Sequence, residues 1–227
     1  MEVERKFRLP EGTDIVESFG PLVNGESFTK KKASSFVDEY FDTDDHQLSA
    51  KDAWLRRRDH GGDMRWELKY SPSFTMGPSR SLQSNVVTKY VELTDEAEIA
   101  SVVCRLLNIP QCVLSALIKS SLNMFCQIDT LRETYELNVL ECSYIGTAIV
   151  VIDRALGGAI SLGEVELQLD RSTDKEQLDN AEKAINAIVA RFGLESVSEG
   201  KMEYLIRTRK PQLWSKLYRV ESKSECN

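Results

Sequence analysis

The feature that most constrains the fold of this chain is a series of short segments in which apolar and polar residues alternate. Alternation at period two, with β-branched and aromatic residues, predicts strands. Residues 60–63 and 157–158 each contain a pair of glycines between two such segments, and joins this short predict antiparallel hairpins. The predicted strands are 2–9, 35–42, 53–59, 64–70, 86–93, 132–141, 146–153 and 159–169.

Helices are predicted in fewer places. The clearest covers residues 174–192, where Thr173 and Glu176 fit a capping box, a hydrophobic stripe follows at helical spacing and Gly193 marks the end. A second begins at residues 94–96. Less regular helical patterns cover 13–19, 111–117, 201–209 and 212–219.

The chain of 227 residues is long enough to bury a core without metal or disulfide staples. Together with the predicted strands and helices, this leads us to expect one α+β domain dominated by antiparallel sheet.

Composition excludes several classes of protein. The formal net charge of −7 argues against a general nucleic-acid surface, because phosphate binding requires a basic face. No segment approaches the ~20 consecutive apolar residues needed to cross a bilayer. The number of cysteines is odd and no CxxC pair occurs, which favours a reduced, intracellular protein. We therefore expect a soluble, cytoplasmic protein, a monomer, and from the charge and the lack of an apolar span we expect neither a nucleic-acid nor a membrane partner. The cysteines are Cys104, Cys112, Cys126, Cys142 and Cys226.

Several predicted strands carry charges of nearly one sign on a single face. Alternation places Glu2 and Glu4 together on the first strand, and Glu164 and Glu166 together on the last. The middle strands are basic, with Arg56 and Arg58 sharing a face with Trp54, and Lys69 on the next strand. On a single strand such a face usually points to water. Recurrence on several strands favours a second interpretation, in which a closed sheet turns these faces inward.

Charges of one sign cannot face each other inside a sheet without a compensating ligand. Clustered carboxylates require a cation, and oxygen-only ligands suit Mg²⁺ or Mn²⁺. Clustered arginine and lysine side chains require a polyanion, most naturally a chain of phosphates. A complex of a divalent metal with a small-molecule polyphosphate satisfies both halves of the predicted interior.

The charged strands contain short motifs that follow one another in a fixed order. The motifs are Glu2-Val3-Glu4-Arg5-Lys6, Tyr40-Phe41-Asp42-Thr43, Trp54-Leu55-Arg56-Arg57-Arg58, Trp66-Glu67-Leu68-Lys69, Glu92, Gly163-Glu164-Val165-Glu166, Lys201 and Lys210-Pro211-Gln212. This ordered set resembles the CYTH family of triphosphate tunnel metalloenzymes, and within that family it is most similar to the animal enzymes that hydrolyse thiamine triphosphate. The resemblance covers residues 1–215 and leaves 216–227 as a C-terminal tail. It implies a closed antiparallel β-barrel of about eight strands that forms a tunnel, with helices packed outside.

The resemblance also implies roles for individual side chains. The implied metal ligands are Glu2, Glu4, Asp153, Glu164 and Glu166. The implied phosphate-binding cations are Lys6, Arg56, Arg58, Lys69 and Lys201. Glu92 matches a tunnel acid without a defined role. We further expect Lys69, with a pKa lowered by neighbouring cations, and Tyr40 to assist deprotonation of the attacking water. Trp54 could contact the aromatic head of an organic triphosphate or simply pack in the core.

The implied activity is Mg²⁺-dependent hydrolysis of thiamine triphosphate to thiamine diphosphate and phosphate. An inorganic tripolyphosphatase would use the same tunnel without an organic pocket. Adenylate cyclase chemistry is disfavoured, because no adenine-pocket signal is evident. A polyphosphate- or nucleotide-binding module with weakened catalysis is the alternative that is not an enzyme. Its support is Lys119-Ser120-Ser121, at a place where the family usually has an arginine close after a lysine.

Overall fold

A computed structural model of the protein describes residues 1–9, 12, 14–23, 25–71, 88–142, 147–170 and 172–218. Within these residues, eight antiparallel strands close into a barrel, which confirms the predicted fold class. The strands follow one another around the barrel in the order β1-β5-β4-β3-β2-β6-β7-β8, and β8 pairs back to β1. Their bounds are β1 Glu2–Arg8, β2 Ser27–Asp42, β3 Ala53–Asp59, β4 Met64–Tyr70, β5 Thr88–Leu93, β6 Asn123–Asn138, β7 Ala148–Ala155 and β8 Ile160–Gln168.

Two strands are longer than the sequence pattern predicts. The predicted segments 35–42 and 132–141 cover only parts of β2 and β6, which run for 16 residues each. The first half of β2 contains three consecutive lysines and is largely exposed, so it shows no apolar alternation. Pairing with β6 along the whole ladder, from Ser27 opposite Asn138 to Asp42 opposite Asn123, makes that half a strand.

Six helices lie in the described part of the chain. Asp95 caps α2 by accepting hydrogen bonds from the next turn, as residues 94–96 indicated. The capping box of α4 is formed by Asp174 and Gln177, one residue later than the predicted Thr173 and Glu176. The helices are α1 Ile15–Ser18, α2 Glu96–Leu107, α3 Leu114–Ser120, α4 Lys175–Arg191, α5 Lys201–Arg209 and α6 Pro211–Leu217.

The hydrophobic core lies mostly outside the barrel wall, because the apolar faces of the strands point outward to the helices. Val3 and Phe7 of β1 pack in one cluster with residues of α4, and Leu55 and Leu68 pack in another with residues of α2. A third cluster joins α5 and α6 to side chains that include Trp54. The inward faces of the strands therefore carry polar side chains, and these line the interior of the barrel.

Other sequence predictions concern the ends of the chain and membrane spans. Helix α6 ends at Leu217, two residues past the boundary expected at 215. Residues 72–87, which include the start of the predicted strand 86–93, and the tail from residue 219 lie outside the described residues. Among the described helices, none is long and apolar enough to span a membrane.

Candidate active site

The barrel encloses a polar cavity of about 250 Å³. Side chains from β1–β6, β8 and the first turn of α5 line it, and most of them are charged. With the exception of Asp153, every residue that the sequence analysis assigned to the site is among these lining residues. They are Glu2, Glu4, Lys6, Tyr40, Trp54, Arg56, Arg58, Lys69, Glu164, Glu166 and Lys201.

Carboxylates from two neighbouring strands meet on one side of the cavity. The register of β1 and β8 places Glu4 opposite Glu166 and Lys6 opposite Glu164. In the described part of the chain, Glu4, Glu164 and Glu166 bring carboxylate oxygens within 4.8 Å of one another. Burial, followed by the negative charges of Glu164 and Glu2, raises the pKa of Glu166 well above its ordinary value.

This acidic cluster fits a divalent cation. Buried like charges at this separation repel one another, and a bound cation removes that repulsion. The donors are all carboxylate oxygens, which suits Mg²⁺ or Mn²⁺. Glu2 lies beside the cluster, where it accepts a hydrogen bond from Gln168 (3.0 Å) and pairs with Lys69.

The surroundings of Lys69 differ from the prediction. Its Nζ lies 2.6 Å from an oxygen of Glu4 and 2.9 Å from one of Glu2, so carboxylates and not cations are its nearest partners. Burial opposes the charge, but these carboxylates outweigh it and raise the pKa of Lys69 well above its ordinary value. The expectation of a lowered pKa is therefore wrong for this arrangement. Lys6 also pairs with Glu4, and its pKa is raised for the same reason.

The arginines of β3 are held by acidic side chains of neighbouring strands. Arg58 is 4% exposed and donates two hydrogen bonds, of 2.6 and 2.8 Å, to the carboxylate of Asp38 on β2. Arg56 donates to Glu67 at 2.7 Å and to Glu92 at 2.8 Å. Glu92 thus acquires a definite position, as a partner of Arg56. These bidentate and bridging contacts orient the guanidinium groups inside the barrel.

A second group of cations surrounds Asp153. Arg132 donates hydrogen bonds of 2.7 and 2.6 Å to its carboxylate, and Lys201 at the start of α5 contacts it at 2.5 Å. Asp153 is 2% exposed and is not among the described residues that form the acidic cluster. This arrangement favours a role for Asp153 in holding Arg132 and Lys201 in place over direct binding of metal.

Arg132 is a site residue that the sequence analysis missed. The family pattern places an arginine close after Lys119, but Lys119 is exposed on α3, and the following strand carries Arg132 into the cavity. Arg132 thus supplies to the cavity an arginine that the segment Lys119-Ser120-Ser121 does not. The signal was the alternation within the predicted strand 132–141, which places Arg132 on the face opposite the core residues Tyr135 and Leu137.

Three further residues of the middle strands have clear positions. Tyr40 is 3% exposed, and burial followed by the charge of Asp38 raises its pKa. Trp54 is 8% exposed and packs in the cluster under α5, yet it also lines the cavity and donates its indole N–H to Asp52 at 3.0 Å. Arg57 lies on the outer face, paired with Glu39, as the alternation predicts.

Comparisons with known proteins agree with this geometry. A sequence profile described as the CYTH domain matches residues 1–200. The thiamine-triphosphatase of Homo sapiens is 27% identical over 235 residues, which cover 99% of this chain and 92% of that protein. The thiamine-triphosphatase of Macaca fascicularis is 25% identical over 233 residues, with the same two coverages.

Solved structures share the fold at lower identity. A protein from Pyrococcus horikoshii has a TM-score of 0.55 at 17% identity, with 92% of this chain and 100% of that chain covered. A putative adenylyl cyclase from Hippeastrum, whose structure is described with a dominant triphosphatase activity, has a TM-score of 0.51 at 18% identity and coverages of 97% and 99%. With a family match over most of its length and a barrel lined by the expected charges, the chain belongs to the CYTH domain family.

Proposed function

We propose that the protein hydrolyses thiamine triphosphate to thiamine diphosphate and phosphate with the help of Mg²⁺. The observation that carries the proposal is the division of one barrel interior into an acidic cluster and two groups of cations. A linear triphosphate bound through a metal at one end and through guanidinium and ammonium groups along its length would neutralise both. Human and macaque relatives named thiamine-triphosphatase support this substrate.

Glu4, Glu164 and Glu166 would hold the metal, with Glu2 beside them. When bound, Mg²⁺ supplies a Lewis acid that polarises phosphate oxygens and the attacking water, and Mn²⁺ accepts the same oxygen ligands. The side chains of this chain then bind and orient the substrate, which is the main requirement for phosphoryl transfer.

The cations would bind the phosphate oxygens. Arg56 and Arg58 present planar guanidinium groups that can engage two oxygens each, and Arg132 and Lys201 add two more cations to the lining of the same cavity. Asp38 and Asp153 keep these groups oriented between turnovers. Fixed donors of this kind stabilise the developing charge of the transition state without reorganisation.

Lys69 would act first as a phosphate-binding cation, because its raised pKa keeps it protonated at neutral pH. A role for Lys69 and Tyr40 in deprotonating the attacking water stays a prediction. Trp54 lies on the same strand face as Arg56, so it would contact the thiazolium of a bound thiamine triphosphate by a cation–π interaction. The monomeric state and the cytoplasmic location also stay predictions.

Inorganic tripolyphosphate is the second candidate substrate. It is favoured by the lining of the cavity, in which charged side chains greatly outnumber aromatic ones. It would occupy the same metal and cation groups and would leave the surface of Trp54 unused.

One experiment separates the two candidates and the binding-only alternative. The protein is incubated separately with thiamine triphosphate, tripolyphosphate and ATP, in Mg²⁺ and in EDTA. Both the binding of each compound and the release of phosphate are measured. We expect the highest kcat/KM for thiamine triphosphate and none of these activities in EDTA. Preference for tripolyphosphate would support the second candidate, and binding of all three without phosphate release would support the module that is not an enzyme.

A further inference from the structure

Phe36 lies at the point where the two groups of cations meet. It is on the inward face of β2, two residues before Asp38, and it is 4% exposed. Three cations that the proposed function assigns to the triphosphate surround its ring. The guanidinium carbon of Arg58 is 3.9 Å from the ring centroid, that of Arg132 is 5.3 Å away, and Nζ of Lys201 is 5.6 Å away.

These three cations come from separate parts of the chain. Arg58 is on β3, Arg132 on β6 and Lys201 on α5, and each reaches the ring from its own element. Their carboxylate partners are also separate, since Asp38 binds Arg58 while Asp153 binds Arg132 and Lys201. Phe36 is thus a common neighbour of two ion-pair groups that share no carboxylate.

A ring in this position has two physical effects. The negative face of an aromatic ring attracts cations, so it offsets part of the repulsion among three positive charges in a buried space. The ring is also rigid and lies against the guanidinium of Arg58, with 3.9 Å between the guanidinium carbon and the ring centroid, so it limits the positions that this group can take. Both effects favour the arrangement that a chain of phosphates requires.

We propose that Phe36 is a positioning residue for the triphosphate, which holds Arg58, Arg132 and Lys201 in the geometry that binds phosphate oxygens. The ring is not among the described residues that line the cavity, so it acts on the substrate only through these cations. The inference rests on the proposed function, because it takes these cations to be the phosphate-binding groups.

The strand offers a matched control. Phe41 is on the outward face of β2, is 8% exposed, and has the guanidinium of Arg57 at 5.9 Å from its ring. The two positions therefore share the residue type, the strand and a cation over the ring. They differ in whether that cation faces the barrel interior.

The test measures binding of non-hydrolysable imidotriphosphate with Mg²⁺ by titration calorimetry. We expect Phe36→Leu to weaken binding about ten-fold, Phe36→Tyr to stay within about two-fold of the unchanged protein, and Phe41→Leu to leave affinity unchanged. For hydrolysis, Phe36→Leu should raise KM more than it lowers kcat. A second series of variants carries phenylalanines with one to three ring fluorines at position 36. These keep the shape of the Phe36 side chain, so they disturb folding less than Phe36→Leu does. Affinity should fall stepwise with the number of fluorines, because fluorine withdraws charge from the ring face.

The outcomes distinguish a failure of the proposed function from a failure of the role of Phe36. Absence of imidotriphosphate binding by the unchanged protein would overturn the proposed function itself. Binding that is the same across the fluorinated series would overturn only the role of Phe36. Equal loss of affinity in Phe36→Leu and Phe41→Leu would assign the effect to general packing and would likewise overturn it.

Discussion

Replacing Asp153 by asparagine tests how the cations of the barrel are held. The carboxylate is 2% exposed and pairs with both Arg132 and Lys201. The substitution keeps its shape but leaves two cations facing each other. Loss of one partner from a buried ion pair costs about 3–5 kcal/mol. The two cationic side chains are 22% and 10% exposed, so water relieves part of this cost and we expect about 3 kcal/mol.

For a protein of this size a loss of about 3 kcal/mol corresponds to a Tm lower by about 6–12 °C. The assay is thermal and urea unfolding of Asp153→Asn at pH 7, without metal or phosphate. Glu133→Gln is the matched control, because Glu133 also pairs with two cations, Lys30 and Arg154, but these partners are exposed to solvent. Exposed pairs contribute at most about 1 kcal/mol, so its Tm should change little. Equal destabilisation by the two variants would refute the reasoning.

The same variant has a defined pH dependence. Burial raises the pKa of Asp153, but Lys201 and Arg132 outweigh it and lower the pKa below its ordinary value. A carboxylate with a lowered pKa stabilises the fold above its unfolded pKa of about 4, and this stabilisation is lost as the pH falls further. The difference between the unchanged protein and Asp153→Asn should be complete at pH 7 and should shrink below pH 4. A constant difference across that range would contradict it.

The role of Asp153 in activity can be separated by kinetics. As a holder of cations, Asp153→Asn should raise KM for the triphosphate and leave the Mg²⁺ concentration for half-maximal activity unchanged. As a metal ligand, the implication of the family resemblance, the same change should raise that Mg²⁺ concentration. The measurement is a matrix of rates over substrate and Mg²⁺ concentrations.

Further predictions concern the metal, the phosphates and the organic head. Glu166→Gln should abolish hydrolysis and leave the Tm at pH 7 equal or higher, because a neutral side chain here relieves repulsion with Glu164 and Glu2. A lower Tm in a melting assay would contradict this. Arg56→Ala and Arg58→Ala should each raise KM, whereas Arg57→Ala on the outer face should not, and equal losses in a rate assay would argue against the lumen assignment. Trp54→Ala should lower kcat/KM for thiamine triphosphate roughly two- to thirty-fold and affect tripolyphosphate much less, and parallel losses would make the indole a packing residue.

Much of the barrel could be predicted from local patterns. Alternation in β1, β3, β4 and β8 determines which side chains share a face, and it correctly separates Arg57 from Arg56 and Arg58. It also groups Glu164 with Glu166, as the acidic cluster has them. The sequence pattern did not predict the polar first half of β2 as a strand, because its lysines are exposed and only pairing with β6 makes it one.

The sequence alone determined the faces of the strands and the sign of the charge on each, because those follow from the two-residue period of a strand. The tertiary structure decided which charges became partners. Strand register placed Arg132 opposite Asp153, and closure of the barrel brought the cations of β3, β6 and α5 around Phe36. It also surrounded Lys69 with carboxylates and so reversed the direction of its pKa shift. Distances across a lumen depend on register and closure, which no local pattern encodes.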